Sequence, residues 1–421
     1  MRVIQTLLGL TIIAGANASS AVPVADADTA AALTEFSTYC GDSVRLWGKS
    51  LCGPLVLVDP ATRQAFATVD PKLPAFVPNG SAWSGVLPKD VAVANTSVAL
   101  GGQRYAEMLL PLPKDAVERR ILFAHESFHR IQPDLGFKGA EADNGHLDAK
   151  DGRIYARLEM AALKAALSSR HRRAAVRDAL AYRAARLAKF PGAEAAENSL
   201  IANEGLAEYT GIVVGAGPAA TAVAVKRLDE GAARPSLIRS FGYVVGPAYG
   251  ILLDEAGSKD WRKAAISGRP LPDLLQRSLG IHAAGAAIRQ RYGGKAIIAE
   301  ETARDVQIQQ RRGQLTAALV DGPNVTFPFE KMGIDFNPNT LFSLGDQGTV
   351  YGQATTVRDT WGVLKATGDI LISSSWSYAR VAGPAKIDGR IVSGPGWSAE
   401  LTEAYAAVPG ARAGDVVIKK K

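Results

Sequence analysis

The segment His125-Glu126-Ser127-Phe128-His129 constrains the fold of this chain more than any other feature. It matches the pattern H-E-x-x-H, and the residues around it predict a helix. Residues at positions i and i+4 of a helix lie on one face, so both imidazoles can bind one metal ion. Glu126 lies beside them and can accept a proton from a water molecule at such an ion. The alternative is a helix with two incidental histidines and a surface carboxylate.

The residues around this motif predict where the helix begins and ends. Asp115 and Glu118 fit the N-cap and N3 positions of a capping pair, and Pro133 is expected to close the segment. Unligated polar side chains beside a buried face would cost free energy, and a bound metal ion removes that cost. The buried face is predicted from apolar residues spaced by three and four, namely Val117, Ile121, Ala124, Phe128 and Ile131.

A third ligand is expected from a second, distant segment. Catalytic zinc takes three protein ligands and leaves one position open, and two histidines with one glutamate form a standard set. Glu204 and Glu208 are spaced i and i+4 in the apolar run 200–214, where two buried carboxylates would need a cation. We expect Glu204 to ligate Zn²⁺ and Glu208 to accept the free ring N–H of a ligating histidine. An exposed pair of glutamates is one alternative, and Glu159 as the third ligand is another.

Together, His125-Glu126-x-x-His129 and Glu204-x-x-x-Glu208 resemble the gluzincins, the thermolysin-like zinc metallopeptidases. The resemblance covers roughly residues 95–260 and implies a zincin-like catalytic domain in which Glu126 is the general base for peptide hydrolysis. Two features differ from the family pattern. Glu208 stands where an aspartate is usual, and 74 residues separate His129 from Glu204, more than in thermolysin and the aminopeptidases.

Tyr243 is a candidate donor for the transition state. Tyr243 and Gly246 resemble the Y-x-x-G stretch of the aminopeptidase branch, in which the tyrosine hydroxyl binds the oxyanion. A preorganised donor at the point where negative charge develops lowers the barrier. Tyr249 is the alternative donor, and simple core packing of Tyr243 is the other alternative. No G-x-M-E-N segment lies upstream, so recognition of a substrate amino terminus is not implied.

The first 18 residues predict a secretory signal peptide. Arg2 supplies the positive end, residues 7–13 form a short apolar core, and Ala16-Asn17-Ala18 matches a cleavage site. The apolar core is too short for an ordinary membrane span. We therefore expect a secreted or periplasmic protein that begins near Ser19, with a retained N-terminal anchor as the alternative.

Cys40 and Cys52 are the two cysteines of the chain. An even count in an exported protein predicts one disulfide bond, and two free thiols are the alternative. A catalytic thiol is not expected, because no histidine lies near either cysteine in the sequence.

The length and composition predict a multidomain globular protein with an α+β fold. The chain has 421 residues, of which 47% are hydrophobic and 21% charged. We predict an N-terminal β-rich region over residues 19–110 with two hairpins, a mainly helical domain over 111–312 and a small all-β domain over 313–421. In thermolysin-like enzymes the edge strand of such a sheet holds the substrate in an extended conformation.

The positive charge is concentrated in one stretch. The net charge is +7, and residues 170–189 contain seven basic residues against the single acidic residue Asp178. A solvated helix face is the simplest interpretation, and contact with an anionic surface is the alternative. Nucleic acid is not an expected partner, because no aromatic residues interleave with the arginines. The oligomeric state is not predicted.

The remaining histidines and the C-terminal tryptophans carry less information. His146 is expected to be a solvated loop residue, while His171 and His282 are expected to be solvated and structural, respectively. Core packing is expected for the tryptophans, with a binding platform as the alternative; these are Trp361, Trp376 and Trp397.

The sequence therefore predicts an exported zinc metallopeptidase that acts on a peptide or protein substrate. Two alternatives remain open. One is a zinc hydrolase of a non-peptide amide or ester. The other is a non-catalytic binding protein with a structural or vestigial metal site, which would hold its partner with the C-terminal β domain.

Overall fold

The protein is described by a computed structural model that covers residues 27–137, 143–169, 172–281, 287–337 and 340–421. The predicted signal peptide, His171 and His282 lie outside these residues. The chain divides into two compact units, Met1–Ala299 and Glu300–Lys421. A sheet near the N-terminus, a central helical region and C-terminal sheets confirm the predicted α+β fold.

Helices dominate the first unit, and the last helix extends across the predicted boundary at residue 312. In chain order the helices are α1 Ala27–Tyr39, α2 Val44–Trp47, α3 Ala116–Leu135, α4 Lys150–Ser168, α5 Arg172–Lys189, α6 Ala193–Leu200, α7 Leu206–Ala216, α8 Ala220–Ala232, α9 Ser240–Glu255, α10 Trp261–Ile266, α11 Leu271–Ser278 and α12 Gly294–Thr316.

The N-terminal sheet contains both predicted hairpins. Its strands are β1 Leu55–Val58, β2 Gln64–Ala67, β3 Val77–Asn79, β4 Ala82–Val86, β5 Thr96–Leu100 and β6 Gln103–Leu109. The strand order is β3-β4-β2-β1-β6-β5; β1 pairs with β2 and β5 with β6 in antiparallel register, whereas β1 and β6 run parallel. Alternate residues face opposite sides, so Leu57 and Met108 join the helical core while Val56 and Tyr105 join a second core.

Helix α3 begins where the sequence predicts but ends later. The Asp115 carboxylate caps it by accepting a hydrogen bond from the backbone N–H of Glu118 at 2.9 Å. The Glu118 carboxylate instead pairs with Arg227 on α8. The expectation that Pro133 closes the helix is wrong, because α3 continues to Leu135. Gly136 ends it with a positive φ of 95°, a conformation that favours glycine.

Helices α6 and α7 form one nearly continuous run, joined by the π-helical turn Ile201–Gly205. Helix α7 packs closely along α3, because glycines replace side chains at the contact. A Cβ at Gly211 would lie 2.8 Å from the carbonyl oxygen of Ile121. By length and composition alone, the run Ala193–Ala232 is apolar enough to cross a membrane, but a core helix meets the same criterion and α7 is largely buried.

A buried ionic network joins helices α4, α5 and α6. The Arg186 guanidinium is fully buried, with Nη2 2.7 Å from Glu159 Oε2 and Nε donating to Glu197 Oε1 at 2.7 Å. Arg183 is also buried and bonds Asn198 at 2.7 Å. The interpretation of the basic stretch as a solvated face is therefore wrong for these two arginines. The positive charges of these arginines balance the negative charges of buried carboxylates.

The second unit contains the greater part of α12 and a β-sandwich that follows this helix. Its two sheets have the orders β18-β19-β7-β14-β13-β10-β9 and β15-β16-β17-β12-β11-β8. Trp361 and Trp397 are buried in the core that the two sheets share, as expected, whereas Trp376 is 52% exposed. The strands are β7 Asn324–Pro328, β8 Gly333–Asp335, β9 Leu341–Ser343, β10 Thr349–Tyr351, β11 Thr355–Asp359, β12 Gly362–Ala366, β13 Ile370–Ile372, β14 Tyr378–Ala382, β15 Lys386–Asp388, β16 Ile391–Gly394, β17 Trp397–Leu401, β18 Tyr405–Pro409 and β19 Val416–Lys420.

The predicted disulfide bond between Cys40 and Cys52 is present. The loop that it closes carries Trp47, whose indole N–H donates to the Thr210 hydroxyl on α7 at 3.0 Å. The ring of Trp47 also packs on Phe128 of α3, with centroids 4.9 Å apart. The disulfide loop therefore supports both helices of the α3–α7 pair, and the bond itself indicates an oxidising, extracellular type of environment.

We predict that Arg186→Met destabilises the protein by about 3–5 kcal/mol, because it leaves the buried Glu159 and Glu197 carboxylates without their shared cation. Urea unfolding followed by circular dichroism measures this change. The matched control is Arg177→Met on the same helix, where the side chain is exposed and the loss is expected to stay within about 0.5 kcal/mol. Equal midpoints for the two variants would contradict the structural role of the network.

Candidate metal centre

Three side-chain atoms converge on one point between α3 and the π-helical turn. Nε2 of His129 lies 3.0 Å from Nε2 of His125 and 3.2 Å from Oε2 of Glu204, and the third distance, from His125 to Glu204, is 3.6 Å. Tetrahedral zinc with bonds of about 2.0–2.1 Å requires its ligand atoms to be about 3.3 Å apart. The observed distances bracket this value, so the donor set fits a zinc ion.

The other ring nitrogens of both histidines are held by acceptors. Nδ1 of His125 lies 2.8 Å from Oε2 of Glu208, and Nδ1 of His129 lies 2.7 Å from Oε1 of Gln132. A carboxylate or amide oxygen can only accept, so each Nδ1 carries a proton and each Nε2 is the ring nitrogen that faces the centre. This arrangement orients metal-binding imidazoles in known sites. Glu208 therefore reaches its predicted partner although it replaces the shorter aspartate.

A local break in the helix directs Glu204 toward the histidines. Glu204 lies in the π-helical turn, a distortion that often occurs at functional sites. Its Oε1 accepts a hydrogen bond from the Asn203 side-chain amide at 3.0 Å, which leaves Oε2 facing the imidazoles. The side-chain amide of Gln132 donates to the Asn203 carbonyl oxygen at 2.9 Å and so ties the turn to α3.

Helix α9 closes another side of the site and brings Tyr243 to it. Close contact with the π-helical turn is possible because glycines meet there: a Cβ at Gly205 would lie 3.0 Å from Cα of Gly246. The Tyr243 ring stacks on the His125 imidazole with centroids 5.5 Å apart and planes 7° from parallel. The Tyr243 hydroxyl faces the Glu204 carboxylate.

The electrostatics of the site follow from burial and from the mixing of imidazoles with carboxylates. Burial alone would lower the pKa of His125, but the Glu204 and Glu208 carboxylates outweigh it and raise the pKa to about 10. Burial alone would raise the pKa of Glu204, but hydrogen bonds from His125 and His129 leave it lowered. Burial raises the pKa of Tyr243, and the nearby Glu204 carboxylate raises it further. The Glu204 and Glu208 carboxylates thus favour the positively charged form of His125.

Glu126 differs from the other carboxylates because part of it has no partner. It is 4% exposed, and among the described residues its Oε2 has no hydrogen-bond partner. Burial raises its pKa, partly offset by the histidines. Glu126 lies with both histidines in a group whose ligand atoms are within 4.8 Å of one another. Glu204 Oε2 lies at distances from both histidines that are close to tetrahedral spacing, and Glu126 is the other carboxylate within reach of them.

A cavity of about 440 Å³ opens onto these residues. One wall comes from α3 and the π-helical turn and contains His125, Glu126, His129 and Glu204. The lining also includes Thr96 and Ser97 of β5. This strand pairs with β6 on one side and ends the strand order of the sheet, so within the described residues its other side has no strand partner.

The structure separates the rival candidates from the centre. Glu159, the alternative ligand, and Tyr249, the alternative donor, bond each other at 2.7 Å within the buried ionic network. The expectation that His146 is a solvated loop residue is wrong: its side chain is 9% exposed and its Nε2 lies 2.8 Å from Glu197 Oε1. These three side chains therefore belong to the buried ionic network and not to the candidate metal centre.

Three residues of the site were missed by the sequence analysis. Gln132 follows His129 by three positions on the same helix face, and that spacing could have identified it. Asn203 is adjacent to Glu204 and holds its carboxylate. Arg227 lies with Nε 3.4 Å from Glu208 Oε1 and comes from α8, for which no local sequence signal exists.

Comparisons with models of protein families, with curated proteins and with solved structures found no match. The resemblance to the gluzincins therefore rests on the motif residues alone, and the geometry described above is independent of it.

We predict that the metal-free protein binds one equivalent of Zn²⁺ and that His125→Ala abolishes this binding. Glu208→Gln is expected to weaken zinc affinity by about 10–100-fold, because the imidazole of His125 loses its orienting carboxylate. Competition titration with a chromophoric chelator measures both effects. Glu194→Gln on α6, where the side chain is 58% exposed, is the matched control and should bind like the wild type. Wild-type affinity in His125→Ala would exclude this centre.

Proposed function

We propose that this chain is an exported zinc-dependent metallopeptidase of the gluzincin type. The observation that carries the proposal is the convergence of His125 Nε2, His129 Nε2 and Glu204 Oε2 at tetrahedral spacing, beside a buried Glu126 carboxylate that keeps one oxygen free. When bound there, Zn²⁺ supplies Lewis-acid chemistry that acidifies water and polarises a carbonyl oxygen. The rest of the reaction is assigned to the side chains.

Glu126 acts as the general base and then as the general acid. Glu126 lines the cavity, and its buried Oε2 has no hydrogen-bond partner among the described residues. We assign to this carboxylate the acceptance of a proton from the attacking water. Burial raises the pKa of this carboxyl group, which favours its protonated form as the acid that delivers the proton to the leaving amine. The proton that leaves the water thus returns to the nitrogen of the cleaved peptide bond.

Tyr243 is assigned to the oxygen on which negative charge develops. Its elevated pKa keeps the hydroxyl protonated at neutral pH, so that it can donate a hydrogen bond. The stacking of its ring on His125 fixes its position next to the metal ligands before substrate arrives. A donor that is already oriented needs no reorganisation during the reaction, which is the physical basis of its contribution.

The position of β5 favours a peptide substrate over other amides and esters. An extended peptide can add to the unpaired side of this strand by main-chain hydrogen bonds. Thr96 and Ser97 of β5 line the same cavity as Glu126 and the metal ligands. A peptide that pairs with β5 would therefore have its scissile bond in the cavity that Glu126 lines.

The proposed location is outside the cytoplasm. The Cys40–Cys52 disulfide bond fits an oxidising compartment, and the signal peptide predicted from residues 1–18 would direct export.

We predict that Glu126→Gln lowers peptide hydrolysis by about 10²–10⁴-fold while zinc content stays at one equivalent, because the base is lost but the ligands remain. Digestion of a diverse library of unstructured peptides, read by mass spectrometry, measures the activity. Glu194→Gln should cleave like the wild type. Cleavage by Glu126→Gln at the wild-type rate would overturn the assignment of the base.

Tyr243→Phe is expected to reduce kcat by about 10²–10³-fold with a much smaller change in KM, since the hydroxyl acts mainly in the transition state. Steady-state kinetics on a peptide identified from the library provides the measurement. Zinc content should be unchanged, which separates a catalytic effect from loss of the site. A rise in KM at constant kcat would instead indicate substrate binding.

A further inference from the structure

The cavity beside the metal centre contains two arginines that have no acidic partner within the part of the chain that the structure describes. Arg104 and Arg239 both line it. Arg104 donates a hydrogen bond to the Ser97 hydroxyl at 3.3 Å, and among the described residues neither guanidinium forms an ion pair with a carboxylate. Several other arginines of this unit do form ion pairs with carboxylates, among them Arg119, Arg153, Arg183, Arg186, Arg227 and Arg262.

The two arginines come from different parts of the fold. Arg104 belongs to β6, which pairs with β5, and Thr96 and Ser97 of β5 line the same cavity. Arg239 lies at the N-cap position of α9, one turn before Tyr243, and its positive charge acts on the Tyr243 hydroxyl. Two cations from separate elements thus meet at one cavity. Chance exposure of a single basic helix face does not account for this arrangement.

The charge balance of the cavity favours an anionic guest. The carboxylates among its lining residues are Glu126 and Glu204, and the proposed function commits both, one to proton transfer and the other to the metal. With a divalent cation bound, the remaining charge is positive. Guanidinium groups bind carboxylates through paired, charge-assisted hydrogen bonds, and a cleft of one sign concentrates ligands of the other.

We propose that Arg104 and Arg239 select peptides that carry a carboxylate close to the scissile bond. This inference rests on the proposed function and specifies its substrate class. The carboxylate belongs either to an acidic side chain or to a free C-terminus. The chemistry that the arginines recognise is the same in both cases, and a set of matched peptides distinguishes them.

The first experiment measures binding without catalysis. Zinc-loaded Glu126→Gln protein is titrated by calorimetry with three pentapeptides of otherwise identical sequence. The first is blocked at both ends and has a central glutamate, the second is blocked with a central glutamine, and the third has a central glutamine and a free C-terminal carboxylate. One of the two carboxylate peptides should bind about tenfold more tightly than the neutral peptide. The identity of that peptide shows whether the recognised carboxylate belongs to a side chain or to the C-terminus.

The second experiment assigns the preference to the two arginines. In the Glu126→Gln background, Arg104→Gln and Arg239→Gln should each reduce the preference for the carboxylate peptide to about twofold or less. Arg239→Glu should reverse it in favour of a peptide with a central lysine. The matched control is Arg269→Gln, an exposed arginine of the same unit that does not line the cavity, and it should keep the full preference. Raising the salt concentration to about 0.5 M should weaken the preference in the control.

The outcomes separate this inference from the function on which it rests. Equal affinities for all three peptides, or a preference that survives in both glutamine variants, overturn the carboxylate selection. If the wild-type enzyme cleaves the peptide library with no preference for bonds near an acidic residue and none for bonds near the C-terminus, the peptidase proposal stands and the selection fails. If the carboxylate peptide binds selectively but the wild-type enzyme cleaves nothing, the selection stands and the peptidase proposal fails.

Discussion

The site depends on the pairing of buried imidazoles on α3 with buried carboxylates on the α6–α7 run. Two imidazoles and the carboxylates of Glu204 and Glu208 occupy a region with little access to water. Like charges cannot accumulate there without a cation, because desolvation removes the stabilisation that water provides. In the metal-free state the pKa of His125 is raised, so its protonated imidazole supplies the positive charge that balances the carboxylates. A zinc ion would meet the same need, since the distances between the donor atoms are close to those of tetrahedral coordination.

The surrounding structure keeps these groups close by removing side chains where helices meet. Gly211 allows α7 to approach the backbone of α3, and Gly205 with Gly246 allows α9 to approach the π-helical turn. The disulfide loop supports the same helices through Trp47. Arg186 donates a hydrogen bond to Glu197 of α6, which lies four positions before Ile201, the first residue of the ligand-bearing turn. The position of Glu204 is therefore fixed from several directions by interactions outside the site.

Much of this arrangement follows from local sequence patterns, and the rest depends on tertiary contacts. The i, i+4 spacing predicts that His125 and His129 share a face, and an apolar run with two isolated carboxylates indicates Glu204 and Glu208. The π-helical turn has no such pattern, because an extra residue in a helix is set by packing. Likewise, Arg183 and Arg186 resemble surface residues in an alanine-rich, basic helix. Their burial is understandable only when Glu159 and Glu197 arrive from other helices.

The most direct test of the account is anomalous diffraction at the zinc edge from crystals of the zinc-loaded protein. The account predicts one strong peak about 2.0–2.2 Å from His125 Nε2, His129 Nε2 and a carboxylate oxygen of Glu204, with the fourth position open to solvent and substrate. A peak elsewhere would contradict it. So would a fourth protein ligand that closes the coordination sphere, because such a site would be structural and could not perform the proposed hydrolysis.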